Sequence, residues 1–120
     1  MLVDDDPSMR GLLQLLLEID GEFTVVGQAD DGRTVIDLVA AENPDVVVVD
    51  MRLPMARGEQ LVHELRDRRV GGAGPAIVGY SAESDRLAVA AAAGADATVS
   101  KDEPLETLIA ALRRVTDVGG

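Results

Sequence analysis

The sequence contains no cysteine and no tryptophan, and it has only one tyrosine and one phenylalanine among its 120 residues. The absence of cysteine excludes disulfide bonds and thiolate metal sites and suits a reducing cytoplasm, where we expect the protein to act. Because aromatic residues are so few, the core must be built from aliphatic side chains. Basic residues are also scarce, and the formal net charge is -11. That charge argues against direct nucleic acid contact by this domain. No signal peptide opens the chain, and no apolar run approaches the roughly 20 residues of a membrane span.

The order of apolar and turn-forming segments predicts one α/β domain over residues 1–120. Predicted strands cover 1–3, 23–27, 45–50, 76–80 and 97–100, while predicted helices cover 9–19, the stretch between the turn at 30–32 and Pro44, 59–69, 83–93 and 103–115. Five strands that alternate with five helices predict right-handed βαβ units in a doubly wound parallel sheet. The first strand is short against the usual length of about 5–6 residues, so we expect an altered or trimmed start.

The central element of this pattern is the run of valines at 46–49, which ends at Asp50. Four β-branched residues in succession are apolar on both faces, as a central parallel strand requires when helices cover it on both sides. Aspartate is a poor strand residue and is costly to bury. It stands here at the carboxyl end of a strand, where open α/β sheets bind their ligands. Asp50 is therefore the first candidate functional residue, against the alternative that it only begins the following turn.

Polar residues also follow the other predicted strands, and the carboxyl ends of parallel strands lie at one edge of a sheet. The chain therefore brings three carboxylates, a hydroxyl and an ammonium to one cleft, namely Asp4, Asp5, Asp50, Ser81 and Lys101. Carboxylates this close repel one another unless a cation lies between them. Oxygen ligands favour Mg²⁺ over Zn²⁺, and the single histidine, His63, lies in mid-helix and is interpreted as a surface or packing residue.

Each of these residues also has a purely structural interpretation. Asp6 is best explained as a cap of the first helix, and Asp4 and Asp5 could serve the same purpose. Ser81 could cap the helix that follows it, and Lys101 could be a solvated charge at a strand end. The coincidence of all these residues at the proper strand ends favours a functional site.

One carboxylate in such a cleft can accept a phosphoryl group, with cations and hydrogen-bond donors neutralising the transferred oxygens. With these residues, the sequence resembles the receiver (CheY-like) domain of bacterial two-component response regulators over essentially its whole length. The matching motifs are Val-Asp4-Asp5-Asp-Pro, Asp50-Met-Arg-Leu-Pro54 with Gly58, Tyr-Ser81-Ala82 and Lys101-Asp-Glu-Pro104. The resemblance implies a flavodoxin-like five-stranded sheet in the order 2-1-3-4-5 with five helices.

The resemblance also implies a role for each matching residue. Asp50 would be the phosphoacceptor, and Asp5 and Asp50 would supply carboxylate oxygens to Mg²⁺. The backbone carbonyl of Arg52 would complete the protein ligands, while the Arg52 side chain would lie at the rim. Asp4 would act mainly through metal-bound water.

In the same family pattern, Ser81 would donate a hydrogen bond to the phosphoryl group and Lys101 would pair with it. The chain departs from the pattern at Thr98, where the family usually has an aromatic residue that moves inward on activation. Tyr80 is the alternative aromatic reporter. Asp102 replaces the proline that usually follows the lysine, and Lys-Asp is similar to the subgroup whose receivers precede a helix-turn-helix DNA-binding domain.

The resemblance implies a phosphorylation-driven switch. A sensor histidine kinase would phosphorylate Asp50. The surface formed by the fourth predicted helix, the fifth strand and the fifth predicted helix would then control an output domain or partner, and we expect a transcription regulator. The same surface could also form a homodimer. No enzyme activity is expected beyond the domain's own phosphorylation and autodephosphorylation. One alternative is a constitutive binding module with a receiver fold. A phosphatase would need a second acid two residues after Asp50, where Arg52 stands.

Overall fold

The computed structural model describes residues 2–3, 11, 14–15, 17–18, 28–29, 32–51, 57–69 and 74–116. These ranges contain five strands, β1 (Leu2–Val3), β2 (Gln28–Ala29), β3 (Val46–Asp50), β4 (Ala76–Ser81) and β5 (Ala97–Ser100). They also contain four helices, α1 (Gly32–Glu42), α2 (Arg57–Asp67), α3 (Ser84–Ala93) and α4 (Leu105–Thr116). Within these ranges, no helix is both long enough and apolar enough to cross a membrane.

The strands form one sheet in the order β2-β1-β3-β4-β5, with every neighbouring pair parallel. The α/β class and the parallel sheet are therefore confirmed. β3 lies in the centre, where Val49 is paired with Val3 of β1 and Asp50 with Tyr80 of β4. Because all strands run in the same direction, the carboxyl ends of β3, β4 and β5 lie at one edge of the sheet.

The valines of β3 explain why the strand occupies the centre of the sheet. Val47 and Val49 face a core built with residues of α1, α2 and α3, whereas Val48 faces a second core built with Leu17 and α4. Both faces of the sheet are thus covered by helices, which is why an uninterrupted β-branched run is stable there. Full burial of a valine side chain contributes about 1.5 kcal/mol or more, so this short segment anchors both cores.

Most element boundaries agree with the predictions to within two residues. α2 begins two residues before its predicted start at Glu59, and α4 begins at Leu105 instead of Glu103. The predicted end of the fourth helix at Gly94 is confirmed, since Gly94 has φ 115° and its N–H is bonded to the carbonyls of Ala90 and Ala91. A left-handed residue of this kind ends a helix and favours glycine.

The beginning of the chain can be compared with the predictions only in part. Most of the predicted helix 9–19 lies outside the described residues, although residues 11, 14–15 and 17–18 have helical backbone and Leu17 is buried. The predicted strand 23–27 also lies outside them. β2 is formed by Gln28 and Ala29, which lie just beyond the predicted strand and have little intrinsic preference for strands. Pairing with β1 overrides that weak preference.

The amino edge of the sheet, opposite to Asp50, is held by an ion pair between Arg69 and Asp96. The Arg69 guanidinium donates to both carboxylate oxygens, and it also donates to the carbonyl of Pro75 over 2.9 Å. The backbone N–H of Ile77 donates to Asp96 Oδ2 over 2.8 Å. Burial alone would raise the pKa of Asp96, but the hydrogen bonds and positive charge of Arg69, together with the Ile77 amide, lower that pKa below its ordinary value. The pair therefore connects the segment after α2 to the beginnings of β4 and β5.

Candidate functional site

Asp50 ends β3 with a carboxylate that is almost completely buried and paired with a cation. The Lys101 Nζ atom lies 3.3 Å from Asp50 Oδ2, and the two side chains are 18% and 5% exposed. Lys101 directly follows β5, and its backbone N–H donates to the carbonyl of Ser81 at the end of β4. A nearly buried carboxylate is stable only when it is paired or hydrogen-bonded, and Lys101 supplies such a partner. The structure thus brings together Asp50 and Lys101 as the strand-end rule predicts.

Ser81 is the last residue of β4 and is completely buried. Its Oγ atom accepts a hydrogen bond from the backbone N–H of Glu83 over 3.1 Å, just before α3 begins at Ser84. Ser81 therefore stabilises the turn that precedes α3, whereas the N-cap of that helix is Glu83 and has no side-chain capping bond, so the capping role considered for Ser81 was wrong. A hydroxyl that accepts one bond still has a hydrogen to donate, so this bond does not exclude a second one toward a ligand.

Tyr80 contributes an aromatic face to the same site. Lys101 Nζ lies 5.4 Å from the centroid of the Tyr80 ring, within the range of a cation–π interaction. Tyr80 is the register partner of Asp50 in the neighbouring strand. The sequence suggested Tyr80 only through its position beside Ser81, and the contact with Lys101 was not predicted. Residues at matched positions of adjacent parallel strands share a face, and this rule could have identified the contact.

The remaining predicted site residues, Asp4, Asp5 and Arg52, lie outside the described residues. The last described residue before Asp4 is Val3, and Val3 is paired with Val49, immediately before Asp50. Among the described residues there is no group of three or more histidines or acids placed to hold a metal ion. Asp50 is the one expected magnesium ligand whose position is described, and its buried carboxylate is an oxygen donor of the kind that Mg²⁺ prefers.

Two glycines allow backbone segments to approach each other closely beside Asp50. A Cβ atom on Gly58 would lie 3.0 Å from Met51 Cα and 3.1 Å from the carbonyl oxygen of Asp50. A Cβ atom on Gly79 would lie only 2.7 Å from the Cβ of Ala90 in α3. Gly58 therefore lets α2 begin against the chain that leaves β3, and Gly79 lets α3 pack directly on β4.

The other residues singled out in the sequence lie around this cleft or away from it. Thr98, at the position where an aromatic residue was expected, is half-buried in β5 beside Gly79. Asp102 is exposed, and its backbone N–H donates to Ser100 Oγ. His63 is exposed on α2, which confirms its interpretation as a surface residue.

Comparison with known proteins identifies the class to which this fold and site belong. The response regulator receiver domain family matches residues 1–113, and the chain belongs to that family. The nitrate/nitrite response regulator NarL of Escherichia coli K12 is 29% identical over 95% of this chain and 52% of its own length. Its counterpart NarP from the same strain is 35% identical over 94% of this chain and 52% of its own length.

Solved structures give the same result. The crystal structure of a two-component response regulator of the LuxR family from Aurantimonas sp. SI85-9A1 superposes with a TM-score of 0.86 at 29% identity, covering 98% of this chain and 83% of that one. This chain spans about half the length of the curated relatives NarL and NarP. It is a receiver domain, and response regulators are among its relatives.

Proposed function

We propose that this receiver domain accepts a phosphoryl group from a sensor histidine kinase on Asp50 and thereby switches the surface that it presents to an output domain or partner. The observation that carries the proposal is the pair formed by Asp50 and Lys101 at the carboxyl edge of the sheet, with 3.3 Å between Oδ2 and Nζ. The carboxylate is held in one place by strand pairing, and the ammonium already lies where negative charge would develop.

In the transfer step, a carboxylate oxygen of Asp50 attacks the phosphorus of a phosphohistidine. An O–P bond forms, the P–N bond breaks, and the imidazole nitrogen keeps the electron pair and takes up a proton. The product is an aspartyl phosphate, a known type of covalent intermediate. Lys101 then pairs with a phosphoryl oxygen in place of the free carboxylate. Hydrolysis of this bond would restore Asp50, so the domain acts on no substrate besides its own modification.

Mg²⁺ is the cofactor that the donor set fits. Asp5 and Asp50 would hold it with their carboxylates and Arg52 with its backbone carbonyl, while Asp4 would contribute through water. The register of Val3 beside Val49 supports this assignment, because Asp4 and Asp5 directly follow Val3 in the chain. When bound, Mg²⁺ would neutralise charge on the phosphoryl oxygens.

Ser81 links the phosphoryl group to the surface. Its hydroxyl would donate to a phosphoryl oxygen, and any shift of Ser81 would act on the bond that its Oγ accepts from Glu83, immediately before α3. The face formed by α3, β5 and α4, which are the fourth predicted helix, fifth strand and fifth predicted helix, is therefore the face we expect to change. A transcription-regulating output is proposed because the relatives include the transcriptional regulatory protein YdfI of Bacillus subtilis, which is 27% identical over 90% of this chain.

The second candidate function is a constitutive binding module without a phosphorylation cycle. Two observations favour it. The Ser81 hydroxyl already accepts a hydrogen bond in the turn before α3, and Thr98 occupies the position where the switch usually has an aromatic side chain. The intact pair of Asp50 and Lys101 favours the phosphorylated switch instead.

The decisive experiment is the intact mass of the protein after incubation with acetyl phosphate, with and without Mg²⁺. The expected result is a Mg²⁺-dependent gain of one phosphoryl group that is absent from Asp50→Ala. The matched control is Asp67→Ala, which removes an exposed aspartate at the end of α2 and should be labelled like the wild type. Labelling that persists in Asp50→Ala would refute the acceptor assignment. No labelling under any condition would leave the constitutive binding module.

A further inference from the structure

The ammonium of Lys101 lies between two different partners, the Asp50 carboxylate at 3.3 Å and the Tyr80 ring at 5.4 Å from its centroid. We propose that Tyr80 is a positioning residue, which holds the Lys101 ammonium beside Asp50 and passes its displacement on to α4. This inference rests on the proposed phosphorylation of Asp50. It gives Tyr80, which the sequence suggested only as an alternative aromatic reporter, a defined contact with Lys101 and a route to α4.

The need for a positioning residue follows from the chemistry of lysine. The backbone of Lys101 is fixed by the bond from its N–H to the Ser81 carbonyl. Its ammonium, however, ends a flexible four-carbon chain that is free to point toward water. The face of an aromatic ring attracts a cation electrostatically, and more strongly where the cation is partly desolvated. Because Lys101 is only 18% exposed, the ring favours the rotamers that keep Nζ at the carboxylate.

The second part of the inference comes from what the Tyr80 ring packs on. Tyr80 is half-buried against the core cluster that includes Leu108, Ile109 and Leu112 of α4. Since successive side chains of a strand point to opposite faces, Ser81 points to the other face of the sheet. Ser81 therefore acts on the start of α3, and Tyr80 acts on α4.

Phosphorylation would move both groups at once. When Lys101 turns from the carboxylate to a phosphoryl oxygen, its distance from the Tyr80 ring changes, and so does the constraint on a ring that packs against the same core cluster as α4. This arrangement gives the domain an aromatic reporter at position 80 in place of the one missing at Thr98.

The test compares Tyr80→Leu, which keeps an apolar side chain but removes the ring, with Tyr80→Phe, which keeps the ring face. Both are measured as initial rates of Asp50 labelling by acetyl phosphate with Mg²⁺. We expect Tyr80→Leu to be slower than wild type by about three- to tenfold, and Tyr80→Phe to restore a rate within about twofold of it. Tyr80→Leu and Tyr80→Phe are then each combined with Lys101→Met, and the two double variants should be labelled at equal rates. Unfolding midpoints of all variants show that each is folded.

Two outcomes of these rates would overturn the proposal. One is a Tyr80→Leu rate equal to that of the wild type. The other is that Tyr80→Leu slows labelling by the same factor with Lys101→Met as without it, because Tyr80 would then act by a route that does not involve Lys101.

A second measurement separates this proposal from the proposed function. Lys101 is the only lysine in the sequence and Tyr80 the only tyrosine, so ¹³C-lysine labelling gives a single ε-methylene signal without further assignment. In the unphosphorylated protein, that signal should be displaced by the ring in the wild type and in Tyr80→Phe, and should return to an ordinary lysine position in Tyr80→Leu. An identical signal in all three would refute the contact. If acetyl phosphate does not label the wild type but its lysine ε-methylene signal is displaced, the phosphorylation proposal is refuted, while the contact between Tyr80 and Lys101 is still supported.

Discussion

At the scale of single residues, the main question is how a carboxylate can be stable at the end of a buried strand. Asp50 is 4% exposed, and the three valines directly before it, Val47, Val48 and Val49, are equally buried. The Lys101 ammonium at 3.3 Å offsets the unfavourable burial. Taking away one partner of such a pair leaves a nearly buried charge without compensation, which is more damaging than losing an exposed ion pair.

Lys101→Ala tests that argument. We expect the free energy of unfolding, measured with urea in the absence of Mg²⁺, to fall by about 1–3 kcal/mol. Mg²⁺ should recover more stability in this variant than in the wild type, because the metal takes over the neutralisation of Asp50 and no longer competes with the ammonium. Mg²⁺ affinity therefore should not fall, while the surface change after phosphorylation should be weak.

Arg68→Ala is the matched control for Lys101→Ala. It removes the same unit of positive charge, but from an exposed pair with Glu64 in which the side chains are 58% and 51% exposed. Its effect should stay within about 0.5 kcal/mol with or without Mg²⁺. Equal losses in the two variants would mean that the Asp50–Lys101 pair has no special place in the fold.

Some residues of this site can be predicted from their position at the ends of strands, and others cannot. Asp50, Ser81 and Lys101 were predicted because each one lies at or directly after the end of a predicted strand, and parallel strands end at one edge. The Tyr80 contact depends on which residues of neighbouring strands are matched, so it could have been found only by combining the expected strand order with the register of β4 against β3.

At the scale of elements, the closest contact beside the site is the packing of α3 on β4. Gly79→Ala would place a methyl group 2.7 Å from the Cβ of Ala90, which has no rotatable side chain by which to move away. We expect a loss of about 1–3 kcal/mol in the free energy of unfolding, as is typical of overpacking. Chemical denaturation would measure it.

Combining Gly79→Ala with Ala90→Gly should recover part of this loss, even though glycine in a helix interior by itself costs about 1 kcal/mol. The control is Gly11→Ala, whose added Cβ would meet no atom within 4 Å. Strictly additive effects in the double variant would contradict direct packing, since contacting residues couple and distant ones do not.

A second prediction at this scale concerns the Asp96 carboxylate, which connects the amino ends of β4 and β5 to Arg69. The pKa of Asp96 is lowered in the folded state. Its stabilising contribution is therefore complete above the ordinary aspartate pKa of about 3.9, and it disappears as the pH falls through the lower folded value. Asp96→Asn should reduce the free energy of unfolding by about 1–2 kcal/mol near neutral pH, and the deficit should shrink in acid.

Denaturant unfolding of wild type and Asp96→Asn from neutral pH down through the acidic range would measure this dependence. Glu64→Gln is the control, because it removes a carboxylate from an exposed i,i+4 pair worth only about 0.3–0.5 kcal/mol. If the loss in free energy of unfolding caused by Asp96→Asn does not change with pH, the loss results from altered geometry and not from the charge of Asp96. The pair joins residues 27 apart in sequence, and for that reason no local pattern predicted it.

At the scale of the whole molecule, the alternation of apolar runs and turn residues was sufficient to predict a parallel α/β domain, because each half-apolar element has few ways to bury its apolar face. The same reasoning was weakest at the beginning of the chain, where short or weakly β-prone segments such as Gln28–Ala29 depend on pairing with a neighbour. The strands with a strong pattern of their own, β3 and β4, were placed to within one residue.

We predict that the face of α3, β5 and α4 mediates self-association of the chain. β5 is at the edge of the described sheet, and α3 presents exposed alanines beside it. Ser81 and Tyr80 would act on the two helices of this face, so phosphorylation should change its affinity for a second copy. The net charge of -11 opposes association. We therefore expect beryllofluoride with Mg²⁺, which mimics the aspartyl phosphate, to raise the mass measured by sedimentation, and added salt to strengthen this effect by screening the repulsion.

A pair of identical substitutions on different helices would locate the interface. Ala91→Glu adds a charge to the exposed side of α3 and should return the beryllofluoride-loaded protein to a monomer. Ala40→Glu makes the same change on the exposed side of α1 and should leave association unaltered. Both should still be labelled by acetyl phosphate, since neither touches the cleft. Loss of association in both variants would point to general charge repulsion, and a monomer under every condition would restrict the switch to contacts with a different partner.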